Sequence, residues 1–167
     1  MGCFGAFHPS VQGQGSPEDF GHWIGRPSRC RLRRNATSRD PATDYRCRQV
    51  RLDQPLAGML SVSFRGAGGH GTGVSPSGLQ RLSFVGVLDP GSRPMTCIRL
   101  RCQPSWPVRM AVSALSVQGL DDQGWPDALP SNQLAQGHCV LRESRFSCEA
   151  TGSDGATWTA DARHRGG

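Results

Sequence analysis

The segment that decides the fold class is HCVLRESRFSCEA, residues 138–150. Its apolar and polar residues alternate on either side of a central Glu-Ser pair, which is the pattern of two antiparallel strands joined by a two-residue turn. With that turn, Cys139 lies opposite Cys148 and Leu141 lies opposite Phe146, all on one face. Directly opposed residues have Cα atoms about 4.5 Å apart, which is within reach of a disulfide. The segment therefore predicts a disulfide-bonded β-hairpin.

A second part of the chain follows the same pattern. The motif Cys-x-Leu-Arg, followed by aromatic-x-Cys, begins at Cys139 in the hairpin above and also begins at Cys30. It predicts a second hairpin in which Cys30 is bonded to Cys47. A duplicated three-strand unit, spanning 30–66 and 139–166, is one interpretation of this match, and coincidence in a chain rich in Arg and Cys is the other.

The third expected disulfide joins Cys97 and Cys102. Their odd spacing would place them on opposite faces of a single strand, so they must flank a tight turn or bond elsewhere. Cys3 is then left over.

The remaining periodicity is also that of strands. Met59–Arg65 alternates cleanly, and Leu82–Leu88 is a short apolar run suited to a buried strand. In Trp106–Val117 the apolar face changes phase, which predicts a β-bulge near Ala114. Further predictions are a turn at Asp89-Pro90-Gly91, a strand at Met95–Cys102 with Ile98 and Leu100 inward, and a long loop at 119–137 anchored by Trp125.

These segments predict an all-β protein, a small antiparallel β-sandwich or meander that is loop-rich and stapled by disulfides. The predicted organisation is a disordered extension at 1–27, an all-β domain at 28–163 with a Gly-rich loop at 66–78, and a tail at 164–167. No apolar run is long enough for a transmembrane helix. The amino terminus has neither the basic nor the apolar region of a secretory signal.

Seven cysteines in 167 residues favour an oxidising, extracytoplasmic or secreted location. The alternative is a cytoplasmic protein whose cysteines are reduced or bind zinc. A four-ligand zinc site would draw on His138, Cys139, Cys148, Cys97 and Cys102, although the Cys-x-x-Cys spacing typical of zinc is absent from the sequence. We therefore expect no metal.

The chain has no lysine, and nine of its 19 basic residues lie between Arg26 and Arg51. Such a stretch can bind an anionic surface or nucleic acid, and the candidates are Arg31, Arg33, Arg46 and Arg48. Tyr45 is the one aromatic residue there, so contacts would be made to phosphates rather than to bases. The alternative is a solvated, self-repelling pair of strands.

No sequence pattern supports catalysis. Residues 66–71 satisfy G-x-G-x-x-G, but Gly73, Pro76 and Gly78 prevent the helix that a dinucleotide site requires. A G-x-S-x-G elbow is absent, and the five His are mainly in predicted loops and tails. The sequence thus predicts a small extracytoplasmic binding or structural β-protein without catalytic activity or cofactor. The alternatives are an Arg-rich nucleic-acid-associated protein, binding phosphates through residues 26–51, and a small zinc-binding domain.

Overall fold

The computed structural model describes residues 21–66, 79–98, 101–121 and 123–165. The described residues form strands joined by turns, which confirms the all-β prediction, and they contain no helix long and apolar enough to span a bilayer. The strands are β1 (Gly21–Gly25), β2 (Arg29–Arg34), β3 (Thr43–Leu56), β4 (Met59–Gly66), β5 (Leu79–Leu88), β6 (Thr96–Ile98), β7 (Arg101–Gln103), β8 (Val108–Leu120), β9 (Ser131–Arg142), β10 (Arg145–Gly152) and β11 (Thr157–Arg163).

The main sheet closes on itself. Its order is β1-β3-β2-β11-β10-β9-β8-β5-β4, and β3 also pairs with β4, so eight strands form a closed antiparallel barrel. The predicted sandwich or meander is therefore wrong. Closure leaves these eight strands without the exposed hydrogen-bonding edges that an open sheet would present.

The longest strand, β3, makes this closure because it pairs on both edges. On one edge it runs beside β4, and on the other its first half pairs with β2 and its second half with β1. β1 is thus an interrupted continuation of β2, with Gly25 opposite Val50 and Arg31 opposite Arg46. The expected disordered extension at 1–27 is wrong for residues 21–25, while residues 1–20 lie outside the described part of the chain.

The barrel interior holds the apolar side chains of alternate positions. On β10 the buried residues are Phe146, Cys148 and Ala150, with exposed residues between them. Phe64 and Phe84 meet edge to face, with ring centroids 5.9 Å apart. The largest fully buried side chains are Phe64, Phe84, Phe146, Leu32, Leu52, Leu60, Leu82, Met110, Leu115, Leu120, Leu141 and Val50.

The carboxy-terminal hairpin has the predicted register. β9 and β10 place Cys139 opposite Cys148 and Leu141 opposite Phe146, and all four side chains are buried. The structure joins Cys139 to Cys148, with Cα atoms 4.1 Å apart. It also joins Cys30 to Cys47 and Cys97 to Cys102, the other two pairs expected from the sequence.

The two similar disulfide hairpins are not symmetric copies. β2 and β9 stand an odd number of strands apart in an antiparallel barrel, so they run in opposite directions, yet each is followed by its partner in the same sense round the barrel. A rotation that matches the strand directions of the two hairpins either puts the second strand on the wrong side of the first or turns the cysteines outward. The hairpins therefore cannot be superposed with both cysteine pairs inward. A simple duplication is not supported.

The predicted bulge lies in the middle of β8. The register shifts between Val112 and Ala114 against β9, and it shifts again at the same place against β5. Val112 is flanked on its two sides by Gly86 and Gly137, and a Cβ at either glycine would collide with the neighbouring backbone. Glycine is required here because the strands approach one another closely.

Two local predictions are wrong. The strand expected at 95–102 is a separate hairpin of β6 and β7, and Ile98 is 70% exposed instead of inward. The loop expected at 119–137 is shorter, because β9 already begins at Ser131, and the Trp125 side chain is 68% exposed instead of buried as an anchor. Gly66 ends β4, while residues 67–78 of the Gly-rich loop lie outside the described ranges.

The structural role of β1 can be tested with two tryptophans. Trp23 on β1 packs against Trp106 and Phe146, with ring centroids 5.8 and 5.5 Å away. We expect Trp23→Ala to lower the free energy of unfolding by about 2–4 kcal/mol. Trp125→Ala is the matched control and should change it by less than about 0.5 kcal/mol. Chemical denaturation measures both, and equal stabilities would contradict the placement of β1.

Candidate anion-binding site

Arginine side chains occupy directly opposed positions on successive strands of the barrel. The register places Arg142 opposite Arg145, Arg145 opposite Arg163, and Arg163 opposite Arg29, on β9, β10, β11 and β2. Arg48 on β3 continues the series, because the register that sets Arg31 opposite Arg46, extended by two residues, places it beside Arg29. These five residues, Arg142, Arg145, Arg163, Arg29 and Arg48, are called the arginine row.

The arginine row faces solvent. The residues flanking its members on β2, β10 and β11 include Cys30, Phe146 and Ala162, which point inward, so the arginines point outward. All five are exposed. Their guanidinium groups are therefore accessible to a ligand in solution.

Most of the positive charge in the row is not neutralised by the protein. Arg145 forms a salt bridge with Asp161 at 2.7 Å. Among the described residues, the other four arginines have no carboxylate within salt-bridge distance. Like charges placed directly opposite one another on a sheet lower its stability. The row therefore concentrates positive charge at positions where repulsion between the arginines lowers the stability of the sheet.

The four anion-binding candidates predicted from the sequence lie together on the β2–β3 hairpin. Arg31 is opposite Arg46, and all four side chains, including Arg33 and Arg48, are exposed on the outer face. Asp44 accepts salt bridges from Arg31 at 3.5 Å and from Arg33 at 3.2 Å. Arg46 and Arg48 form none with described residues. The hairpin adds a second layer of charge beside the row.

Sequence reasoning missed three members of the row, Arg142, Arg145 and Arg163. They lie in the half of the chain with equal numbers of arginines and acids, so no local charge excess marks them. The predicted hairpin does place Arg142 and Arg145 on its outer face. That β11 pairs with β2, and so sets Arg163 beside Arg29, is a contact between distant parts of the chain that no local pattern reveals.

The row ends where a loop covers the next arginine. Beyond Arg48 the register continues from Gln49 to Arg65 on β4 and then to Arg81 on β5. A Cβ at Gly124 would overlap the guanidinium of Arg65, so the loop after β8 lies directly on that group. Arg81 donates to Gln118 at 3.5 Å. Both arginines are half-buried, so the continuous row of exposed arginines ends at β3.

One end of the barrel is closed by an aromatic cluster that contains a histidine. His164 packs on Phe146 with ring centroids 4.9 Å apart and on Trp23 at 5.7 Å, and Trp106 lies 5.3 Å from Phe146. The expected tail at 164–167 is therefore wrong at His164. Its Nε2 is buried without a hydrogen-bond partner among the described residues, and burial lowers the pKa of His164 below its ordinary value of 6.5.

The opposite end of the barrel carries an engaged arginine. Arg34 faces inward, lies over the ring of Trp158 at 5.8 Å, and forms salt bridges with Asp40 at 2.9 Å and Asp154 at 3.8 Å. These contacts tie the loop after β2 to the turn after β10. Because two carboxylates already hold its guanidinium, Arg34 has a structural role.

The zinc alternative is not supported. Cys97, Cys102, Cys139 and Cys148 are bonded in pairs, and a disulfide sulfur is not a thiolate ligand. Within the described residues no group of three or more His, Cys, Asp or Glu side chains could hold a metal ion.

The comparisons with known proteins show little similarity to this chain. No protein-family model matches the chain, and no curated protein matches it. A solved structure of a redesigned β-barrel is 16% identical, covers 84% of this chain and 91% of its own, and has a TM-score of 0.37.

His164 should make the stability of the barrel depend on pH. Since its pKa is lowered by folding, the unfolded chain binds a proton more readily, and stability should fall as the pH drops through 6.5 towards the folded-state pKa. His164→Phe keeps a ring in the cluster and removes the titrating group. We expect the variant to lose less stability than the wild type between about pH 7.5 and about pH 5. If the unfolding free energies of the two proteins changed equally across that pH range, this would contradict the burial of His164.

Proposed function

We propose that this chain is a non-catalytic binding protein of an oxidising, extracytoplasmic compartment, and that its arginine row binds an anionic partner. The observation that carries the proposal is the direct cross-strand succession of the row, in which four of five arginines form no salt bridge with described residues. Guanidinium groups stay protonated and act as donors to carboxylate, sulfate or phosphate oxygens. The arginines are therefore suited to binding an anion and not to transferring a proton.

The disulfides support the choice of compartment. Three bonds join six of the seven cysteines. Disulfides persist in secreted and periplasmic proteins and are rare where glutathione keeps thiols reduced. Cys47, Cys139 and Cys148 are also buried in the barrel, so these bonds are part of its core.

The cost of the row supports a binding role over a purely structural one. Opposed like charges weaken a sheet, and an outward position could carry a polar residue at no such cost. Local violations of this kind tend to mark functional sites. A solvated, self-repelling face remains the competing explanation, and the experiments below separate the two.

The state of the cysteines gives a first test. The protein, isolated from its source and denatured with an alkylating reagent but no reductant, should gain at most one alkyl group among its seven cysteines. After reduction all seven should react, and intact mass measures both. Reaction of all seven without reductant would argue for the cytoplasmic alternative.

Binding by the row is tested with a matched pair of triple variants. Arg29→Gln, Arg48→Gln and Arg163→Gln together remove three charges from the row, while Arg39→Gln, Arg51→Gln and Arg93→Gln remove three from elsewhere. Dextran sulfate at about 50 mM salt is the polyanion. We expect the row variant to bind at least about tenfold more weakly and with a shallower salt dependence, because fewer counterions are released.

The control variant decides how a loss is interpreted. It has the same net charge as the row variant, so an equal loss in both would show that total charge, and not the row, determines binding. Absence of binding by the wild type under these conditions would favour the self-repelling face.

A further inference from the structure

We infer that the partner of the arginine row is a flexible linear polyanion without aromatic bases, namely an anionic polysaccharide. This inference rests on the proposed function and names its partner. It follows from three features of the row: its curvature round the barrel, its continuity, and the chemistry of its neighbours.

Curvature excludes a flat partner for the whole row. From β9 through β10, β11 and β2 to β3 there are four strand-to-strand steps in a closed barrel of eight strands. Because the strands of such a barrel tilt by about 35–45°, steps perpendicular to them carry the row through about a quarter to a third of a turn, and Arg142 and Arg48 point in directions about 90–120° apart. A flat lipid bilayer or a stiff nucleic-acid duplex can touch neighbouring members of the row but not both of its ends.

Continuity gives a flexible chain a path to follow. Neighbouring strands are about 4.8 Å apart, so the four steps make a track of about 19 Å. Because barrel strands are tilted against the axis, a row that runs perpendicular to them climbs as it goes round. The track ends at β4, where Arg65 is covered by the loop at Gly124. A single extended polymer can follow this helical path.

The neighbours of the row suit sugars better than bases. The next outward positions along β10 and β11 are Ser147 opposite Asp161, followed by Glu149 opposite Thr159. Hydroxyl groups can hydrogen-bond to sugar hydroxyls, whereas single-stranded nucleic acid is usually held by aromatic side chains on which bases stack. On the five strands of the row the described aromatic side chains, Tyr45, Phe146 and Trp158, share the inward-facing positions. Trp125 is exposed but lies on a loop outside these strands.

Charge is densest at one end of the track, and this makes the inference testable. On β2 and β3, Arg29 and Arg48 are joined by Arg46, and by Arg31 and Arg33, which share the single carboxylate of Asp44. On β9 and β10 the row consists of Arg142 and Arg145, and Arg145 is partly neutralised by Asp161. A short oligosaccharide should occupy the β2–β3 end, and only a longer one should reach Arg142.

The experiment measures affinity against chain length with size-fractionated heparin oligosaccharides as the probe. For the wild-type protein, affinity should rise with length until the chain spans the row, and then level off. Arg142→Gln with Arg145→Gln should reduce the affinity of long chains about tenfold and leave the shortest binding chain within about twofold. Arg39→Gln with Arg93→Gln is the control of equal charge and should change neither. The thermal unfolding midpoint of each variant verifies its fold.

Several results would overturn the inference while leaving anion binding by the row intact. One is an affinity that does not depend on chain length, which would indicate a local patch. Others are tighter binding of poly-dT at matched charge and salt, or tighter binding of vesicles of phosphatidylcholine and phosphatidylglycerol in a 3:1 ratio. Failure of every polyanion to bind would instead remove the proposed function itself.

Discussion

The structure depends on the pairing of β11 with β2, which joins the two ends of the described chain. Six residue pairs, from Trp158 opposite Arg34 to Arg163 opposite Arg29, form this seam and complete the barrel. Without it both strands would present unpaired edges, and the interior would be open to water along its length. The seam also continues past its last pair, where the backbone N–H of Ser28 donates to the carbonyl of Arg163 at 2.8 Å.

Two of the disulfides stabilise the hairpins that flank the seam. Cys30–Cys47 joins β2 to β3, and Cys139–Cys148 joins β9 to β10. A hairpin alone is marginal in water, and a cross-strand bond reduces the conformational freedom that its unfolded state would have. In a chain with only 36% hydrophobic residues, these bonds also fill part of the interior. Local cross-links thus compensate for a modest core, so that the long-range seam can form.

The sequence predicts the features that depend on residues close together in the chain. It does not predict those that depend on closure of the barrel. The register of the hairpin at 138–150 and the bulge near Ala114 follow from alternation and from a change of phase, both of which are local. The polar stretch from Ser131 to Gly137 resembles a loop because, near the end of a tilted strand, only Ala135 is buried there. β1 was missed because its five residues are stabilised by the second half of β3, about 30 residues away.

The same distinction between local and long-range contacts applies to the residues of the candidate site. The arginines of the β2–β3 hairpin are neighbours in sequence and were predicted as anion-binding candidates, whereas Arg142, Arg145 and Arg163 join them only through the seam.

The arginine row crosses the seam, and this links binding to the stability of the fold. Arg163 and Arg29 are opposed at the point where the chain ends meet, so their repulsion acts against the contact that closes the barrel. An anionic partner seated on both would replace that repulsion with attraction. A ligand that binds the folded state and not the unfolded one stabilises the fold, and the gain in unfolding free energy rises with the logarithm of the ligand concentration once this exceeds the Kd. Because the row exists only when the barrel is closed, a polyanion that follows it recognises the closed barrel and not the arginine-rich sequence.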